Sequence, residues 1–325
     1  MRFILYVGVA IGLFACSSEE QTKNHTSSNL EKLENTTDQT TLVVLGNVQD
    51  AGSPQIGCEK ECCTPLFKTH DHKRKVVSLG LLDPSTEKKY LFEATPDINS
   101  QVEYLSNLNF DNGKNLPDGI FITHAHIGHY TGLMYLGKEA INASKIPVYT
   151  FPRMANFLRN SGPWSQLVRN ENIELNPIDK ESAVVLSDKI SVEASLVTHR
   201  DEYSETAGFK INGPNKTALF IPDIDKWKKW DKDIIQEIRN TDYAFIDATF
   251  FDGSEIDNRD MSEIPHPFIV ESMKLFEHLS VSEKNKIYFI HLNHTNPALR
   301  KNSPASQLII RKGFNVARFG QTFVL

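Results

Sequence analysis

No apolar run among these 325 residues reaches the roughly 20 needed to cross a membrane. Positive charge is not in excess either. The 35 Lys and Arg face 41 Asp and Glu, a net charge of -6, so bulk electrostatics give a nucleic-acid partner no support. The chain has no repeat of obvious period, no low-complexity tract past residue 40 and no Pro/Gly/Ser-rich linker. One α/β domain is therefore expected rather than an array. There is no G-x-S-x-G stretch, and so no serine elbow to act as a nucleophile. Cysteine is scarce: Cys16, Cys58, Cys62 and Cys63 are all there are.

What is present begins at the N-terminus. Arg2 precedes the thirteen-residue apolar run "FILYVGVAIGLFA", the pattern of a secretory signal peptide. The run closes in "LFAC", which resembles the lipobox of bacterial lipoproteins, with Phe14 a less usual choice. The resemblance implies a lipoprotein signal peptide over 1–15, lipidation of Cys16, and a protein exported and lipid-anchored on the periplasmic or outer-membrane face. An ordinary signal peptide with a chance cysteine is the alternative. Residues 16–40 are polar and lack aromatics, a composition that cannot bury enough surface to fold. They read as a tether, with His25 a solvated bystander, and the domain runs over 41–325.

Short β-branched and aromatic runs then recur: "TLVVLGN", "KVVSLGLLD", "KKYLFEATPD", "GIFIT", "IPVYTF", "KISVEASLVTH", "TAGFKI", "TALFIPD", "YAFIDATF" and "KIYFIHL". Apolar spacing predicts helices in "YTGLMYLGKEAI", "WDKDIIQEIRN" and "PFIVESMKLFEHL". "WKKWDKD" over 227–233 reads as a solvated helix face. His124, His199, Asp223, Asp247 and His291 each stand at or just past the end of a strand-like run. Several strands delivering polar groups to one edge is a common way to build an α/β site.

"HAHIGH" supplies His124, His126 and His129 within six positions. In extended chain the first two point to the same side, and His129 follows as a helix starts. Neutral imidazole is a common zinc ligand. Three imidazoles that do not all face one ion would be split between two ions, with distant ligands recruited to complete each. Here the chain resembles the metallo-β-lactamase fold superfamily. "THAHIGH" is similar to its HxHxDH signature, followed in order by His199 in "VTHRDEY", Asp223 in "FIPDID" and His291 in "FIHLNH". "LGNVQDAGSPQIGC", "ATPDINSQ", "HIGHYTGL" and "HLNHTNP" most resemble the pyrroloquinoline quinone biosynthesis protein B-like metallohydrolases.

The resemblance implies an αβ/βα four-layer sandwich with two central mixed β-sheets. It also implies one ion on His124, His126 and His199, and a second on His129, His291 and a bridging Asp223. Zinc is the expected metal, with manganese or iron as alternatives. Gly128 stands where the family has an aspartate that binds the second ion. A weaker second site with three ligands is therefore expected, and restoring an aspartate at 128 should tighten it.

Three cysteines remain after Cys16, an odd number for disulfides in an exported protein. A similar cysteine-rich loop occurs in the phosphodiesterase of phosphonate breakdown, where a histidine three residues past the last catalytic one completes a zinc site. That resemblance implies a structural zinc on Cys58, Cys62, Cys63 and His294, although the adjacent Cys62–Cys63 pair departs from that group's spacing. His70 and His72 are rival ligands, and a disulfide with one free thiol is the alternative. Asp50 and Asp97 read either as turn formers or as supports for ligand imidazoles. Asp247 is the stronger candidate for support, Glu202 for proton transfer, and His266 for lining a pocket.

The function expected is a metal-dependent hydrolase acting on an ester, phosphodiester, lactone or lactam-type small molecule through hydroxide made on the ions. Catalytic roles fall to Asp223, Glu202 and Asp247. One alternative is an oxidative metalloenzyme of pyrroloquinoline quinone biosynthesis type, with iron. Another is a non-catalytic metal- or ligand-binding lipoprotein, which the missing aspartate at 128 favours. Beyond the substrate and the lipid-contacted membrane no partner is implied, and nothing in the sequence sets the oligomeric state.

Overall fold

The computed structural model describes residues 38–108, 112–180, 182–256 and 260–325. The signal peptide, Cys16, His25 and the tether as far as residue 37 lie outside the described residues. No described helix is long and apolar enough to cross a membrane.

The strands, in chain order, begin with β1 (Thr41–Gly46), β2 (Ser78–Asp83), β3 (Lys88–Phe92), β4 (Gly119–Phe121), β5 (Ile146–Thr150) and β6 (Ile173–Pro177). They continue as β7 (Ala183–Ser187), β8 (Ile190–Leu196), β9 (Ala207–Asn212), β10 (Thr217–Ile221), β11 (Tyr243–Asp247), β12 (Ile287–Ile290), β13 (Asn315–Val316) and β14 (Thr322–Val324). They form two seven-stranded mixed sheets, ordered β14-β1-β2-β3-β4-β5-β6 and β13-β12-β11-β10-β9-β8-β7.

Side-chain alternation explains why such strands need four layers. Along β1, Leu42 and Val44 enter the core between the sheets, while Val43 and Leu45 enter the core under the helices of the first sheet. Along β11, Phe245 faces the shared core, and Ala244 and Ile246 face the helices of the second sheet. Both faces are covered, so these runs are apolar throughout rather than alternating. Phenylalanines interlock the two sheets: Phe92 stacks on Phe121 at 4.9 Å between ring centroids, and Phe209 meets Phe121 edge-on at 5.5 Å. Truncating Phe209 to alanine would cost about 3–5 kcal/mol. The expected four-layer sandwich is the observed fold.

Some local expectations change. The apolar spacing over 130–141 does not produce an α-helix. A single turn, Ile127–Tyr130, passes into a 3-10 helix, Thr131–Leu136. Gly132 is pressed against the first sheet, where an added Cβ would lie 2.1 Å from the Thr95 carbonyl oxygen. That contact holds the segment flat on the layer beneath. Residues 227–233 are not a solvated helix face either. Only Trp227–Lys229 is helical, and both indoles are buried, donating to Ser272 Oγ at 2.9 Å and to the Leu196 carbonyl at 2.8 Å.

For the site, strand direction matters most. β10, β11 and β12 are mutually parallel, and β8 runs the same way because β9 lies antiparallel to both β8 and β10. In the first sheet β1 runs with β3 and β4. The segments following β1, β4, β8, β10, β11 and β12 converge.

Candidate metal centre

Asp223, two residues past β10, is 2% exposed and lies at the middle of the convergence. Its Oδ2 is 3.3 Å from His124 Nε2, 3.1 Å from His199 Nε2, 3.7 Å from His126 Nδ1 and 3.8 Å from His129 Nε2. Ligand atoms of His124, His126, His199 and Asp223 lie within 4.8 Å of one another. So do those of Asp50, His129, Asp223 and His291, and those of Asp223, Asp247, His266 and His291. All six expected active-site residues are therefore brought together, with Asp223 common to every set.

The imidazoles are aimed from behind. His124 Nδ1 is 2.8 Å from Thr123 Oγ1, His199 Nδ1 is 3.3 Å from Asp225 Oδ1, and His291 Nδ1 is 2.9 Å from Thr249 Oγ1. His129 Nδ1 faces the buried Glu93 carboxylate at 3.2 Å. Each contact leaves Nε2 turned to the centre, the arrangement that orients a ligand histidine. His126 is turned the other way: its Nδ1 points inward and its Nε2 lies 3.3 Å from Arg200 at the rim. His291 has φ +64°, a left-handed conformation uncommon outside glycine, which costs about 1 kcal/mol or more and clusters at functional sites.

The electrostatics describe an anionic cage. Burial alone would push His129 down, but the charges of Asp50 and Glu93 outweigh it and hold the imidazole well above its ordinary range. Burial opposes protonation of His199 too, yet Asp223 and Asp225 raise it to about 9. Burial would raise Asp223, but His199, His266 and His291 keep its carboxyl well below the usual range. His124 goes the other way, lowered by burial and by the charge on His129. Protons on several imidazoles thus balance the buried carboxylates, and a bound cation would displace them.

Do these residues fit metal ions? His124 Nε2 and Asp223 Oδ1, both turned into the centre, are buried without a hydrogen-bond partner. Buried polar atoms in folded proteins are seldom left unpaired. Five imidazoles and a shared carboxylate are a donor set suited to zinc and its neighbours. The fit is good.

The geometry alters four expectations. The second half of the centre is not short of an acid: Asp50 Oδ1 lies 2.9 Å from His129 Nε2 and 3.0 Å from His291 Nε2. Asp50 does stand in a turn, closed by the Gly52 N–H to the Gln49 carbonyl at 2.9 Å, but its carboxylate reaches the centre itself and is no remote support. An aspartate at 128 has no room, since its Cβ would lie 2.4 Å from Asp50 Cα. Asp97 accepts from the Val76 backbone N–H at 2.7 Å rather than from a ligand imidazole. His70 and His72 stack on each other at 5.4 Å between ring centroids and are not in the cysteine cluster.

Asp247 Oδ2 is 2.9 Å from His266 Nδ1, and His266 Nδ1 is 3.2 Å from Asp223 Oδ1. Burial would lower His266, but Asp247 and Asp223 hold it well above its ordinary range. Glu202 is half exposed at the rim, 3.7 Å from His126 Nε2. Sequence reasoning passed over Glu93, Thr123, Asp225 and Thr249. Asp225 and Thr249, each two residues past a recognised acid, were open to detection by that spacing.

The cysteines form a separate cluster. Ligand atoms of Cys58, Cys62, Cys63 and His294 lie within 4.8 Å of one another, and all three thiols are free. Cys62 and Cys63 Sγ are 3.8 Å apart, too far for a disulfide. Thiolates about 2.3 Å from a tetrahedral ion would be separated by about 3.8 Å. Burial pushes the Cys62 thiol up to about 12, an expense that a bound cation would reverse.

Comparison with known proteins agrees with this geometry. The Beta-lactamase superfamily domain matches residues 88–292. Coenzyme PQQ synthesis protein B of Gluconobacter oxydans (strain 621H) is 22% identical over 306 residues, covering 87% of this chain and 98% of its own. The crystal structure of Zn(2+)-bound PqqB from Methylobacterium extorquens superposes with a TM-score of 0.72 at 19% identity, covering 88% of this chain and 100% of that one. A diphosphatase from the PhnP family superposes with a TM-score of 0.60 at 20% identity, covering 88% and 97%. At these identities the solved structures show the shared fold.

Proposed function

The chain belongs to the metallo-β-lactamase superfamily, and we propose that this metallohydrolase cleaves a small ester, phosphodiester, lactone or lactam-type substrate at two divalent ions sharing Asp223. The observation that carries the reading is the cage itself: five buried or near-buried imidazoles whose ligand atoms converge on one carboxylate. Zinc is the proposed metal, with manganese or iron as alternatives. Bound ions would lower the pKa of a shared water toward about 7 and polarise the electrophilic oxygen of the substrate.

The chain's own groups do the rest. Thr123, Asp225, Thr249 and Glu93 fix the ligand rings. His266, held by Asp247 at 2.9 Å and set 3.2 Å from Asp223 Oδ1, is the proposed donor of a proton to the leaving group. Glu202 and Arg200 stand at the rim, where a substrate would enter.

A second reading is an oxidative role of pyrroloquinoline quinone biosynthesis type. The relatives favour it: coenzyme PQQ synthesis protein B matches along nearly its whole length. Histidine and carboxylate donors also suit iron. Metal analysis beside a hydrolase substrate panel and oxygen uptake separates the two. Two zinc or manganese ions with turnover support hydrolysis; one iron with oxygen consumption supports the second reading. The non-catalytic alternative loses its ground, because Asp50 stands where an acid was thought missing.

We also propose a structural zinc on Cys58, Cys62, Cys63 and His294, supported by the tetrahedral spacing of the sulfurs. Export and lipid anchoring through Cys16 are proposed from the N-terminal run. Mass spectrometry of membrane-fraction protein should find a diacylated N-terminal cysteine, and an unmodified soluble form would overturn the proposal.

A further inference from the structure

We propose that Asp50 takes the place of the missing acid at 128 as the carboxylate ligand of the second ion, and that position 128 is glycine because the segment that delivers Asp50 passes through the space a side chain there would need. The inference deepens the two-ion reading and rests on it. Three independent observations support it.

The first is the donor set. Ligand atoms of Asp50, His129, Asp223 and His291 lie within 4.8 Å of one another, and Asp50 Oδ1 sits between the Nε2 atoms of His129 and His291 at 2.9 and 3.0 Å. The second is exclusion. A Cβ on residue 128 would fall 2.4, 2.8 and 2.9 Å from Cα, Cβ and Cγ of Asp50. The nearest of these is backbone, so the path of the chain through residue 50 leaves no room for a side chain at 128. Gly128 is not among the glycines with positive φ, so its backbone does not demand glycine. Its own space does.

The third is anchorage. Leu292 N–H donates to the Asn47 carbonyl at 2.8 Å, and Gln49 N–H donates to the Leu292 carbonyl at 2.9 Å. Val48 bridges to Leu292 on one side and Val76 on the other. The segment delivering Asp50 is therefore stitched to the residue immediately after His291. It is a fixed extension of β1, rigid enough to carry a ligand. The carboxylate has moved from the loop after β4 to the loop after β1 while its oxygen stays by the same two imidazoles.

The test uses the full chain loaded with cadmium and read by 113Cd NMR, where thiolate-bound and nitrogen/oxygen-bound ions resonate far apart, with zinc titration beside it. Wild type should show two nitrogen/oxygen sites. Asp50→Ala and the near-isosteric Asp50→Asn should keep the first and weaken the second by about 10²-fold or more, the persisting first signal reporting that the variants fold. Gly128→Asp alone should also weaken the second site. The pair Asp50→Ala with Gly128→Asp should not restore it, because Cα and Cβ of residue 50 still lie 2.4 and 2.8 Å from the Cβ position of residue 128; recovery of the second site in that pair would overturn the exclusion. Two sites in wild type and an unaltered second site in both Asp50 variants would overturn the relocation alone. One site in wild type would overturn the two-ion reading, and the relocation with it.

Discussion

His124, His126 and His199 approach Asp223 from two stretches of chain, the loop after β4 and the end of β8. Asp50, His129 and His291 approach it from three, with Asp50 and His291 separated by 241 positions. The first half is nearly all imidazole, and the second offers more oxygen. The first half rests on local geometry, two histidines two apart on extended chain. The second depends on the loop after β1 being fastened to the segment after β12, a fastening that an ion on the cysteine cluster beside His294 would reinforce. One half takes two of its three imidazoles from a short motif and needs the second sheet only for His199 and Asp223, whereas the other draws each of its ligands from a different part of the fold.

That contrast can be broken at its common point. Asp223→Ala should empty both halves and lower turnover by more than about 10³-fold, beyond the loss usual for one charge-stabilising group. Elemental analysis should find no active-site ion, and retention of either would remove Asp223 from the bridging role. His124→Ala separates the halves. It should lose the first ion while the second stays, with turnover down by about 10³-fold; unchanged metal content would end that assignment.

His266→Gln should leave both ions in place and slow turnover by about 10²-fold, most for substrates with poor leaving groups. Equal losses for good and poor leaving groups would deny it the proton. Cys62→Ser touches no active-site ligand. It should lower the thermal midpoint by at least about 5 °C. It should also weaken the second ion alone by about 10-fold or more. A wild-type melt that responds to reductant and not to chelator would instead mean a disulfide.

How much of this was legible depends on how local each feature is. Strands such as β1 and β11 announced themselves through continuous apolar runs, because both their faces are buried, whereas β6 and β7, partly exposed, and the short β13 and β14 were passed over. Strand-end placement made His124, His199, Asp223, Asp247 and His291 visible. Asp50 was not, because it does stand in a turn, and nothing in that turn's sequence says that its carboxylate will meet His129 and His291. Glu93 was hidden similarly: it follows β3 with φ +76° and is wholly buried, yet nothing in "LFEATPD" says which imidazole it will meet. Helices such as Ile98–Asn107 carry few apolar residues on one face and were passed over. The turn at 127–136 was misjudged because helical spacing cannot foresee that Gly132 must lie against Thr95.

β14 pairs with β1, Phe323 opposite Leu42, and the Leu325 N–H donates to Thr40. A ribosome makes β1 first among the strands and β14 last. Asp50 therefore waits through the synthesis of most of the domain before His291 emerges, and its strand gains its second neighbour only with the final residues. The donors of the second half cannot meet until β12 has been made. A fragment stopped before β12 would have the "HAHIGH" histidines and Cys58, Cys62 and Cys63, but would lack His291 and so one donor of that half.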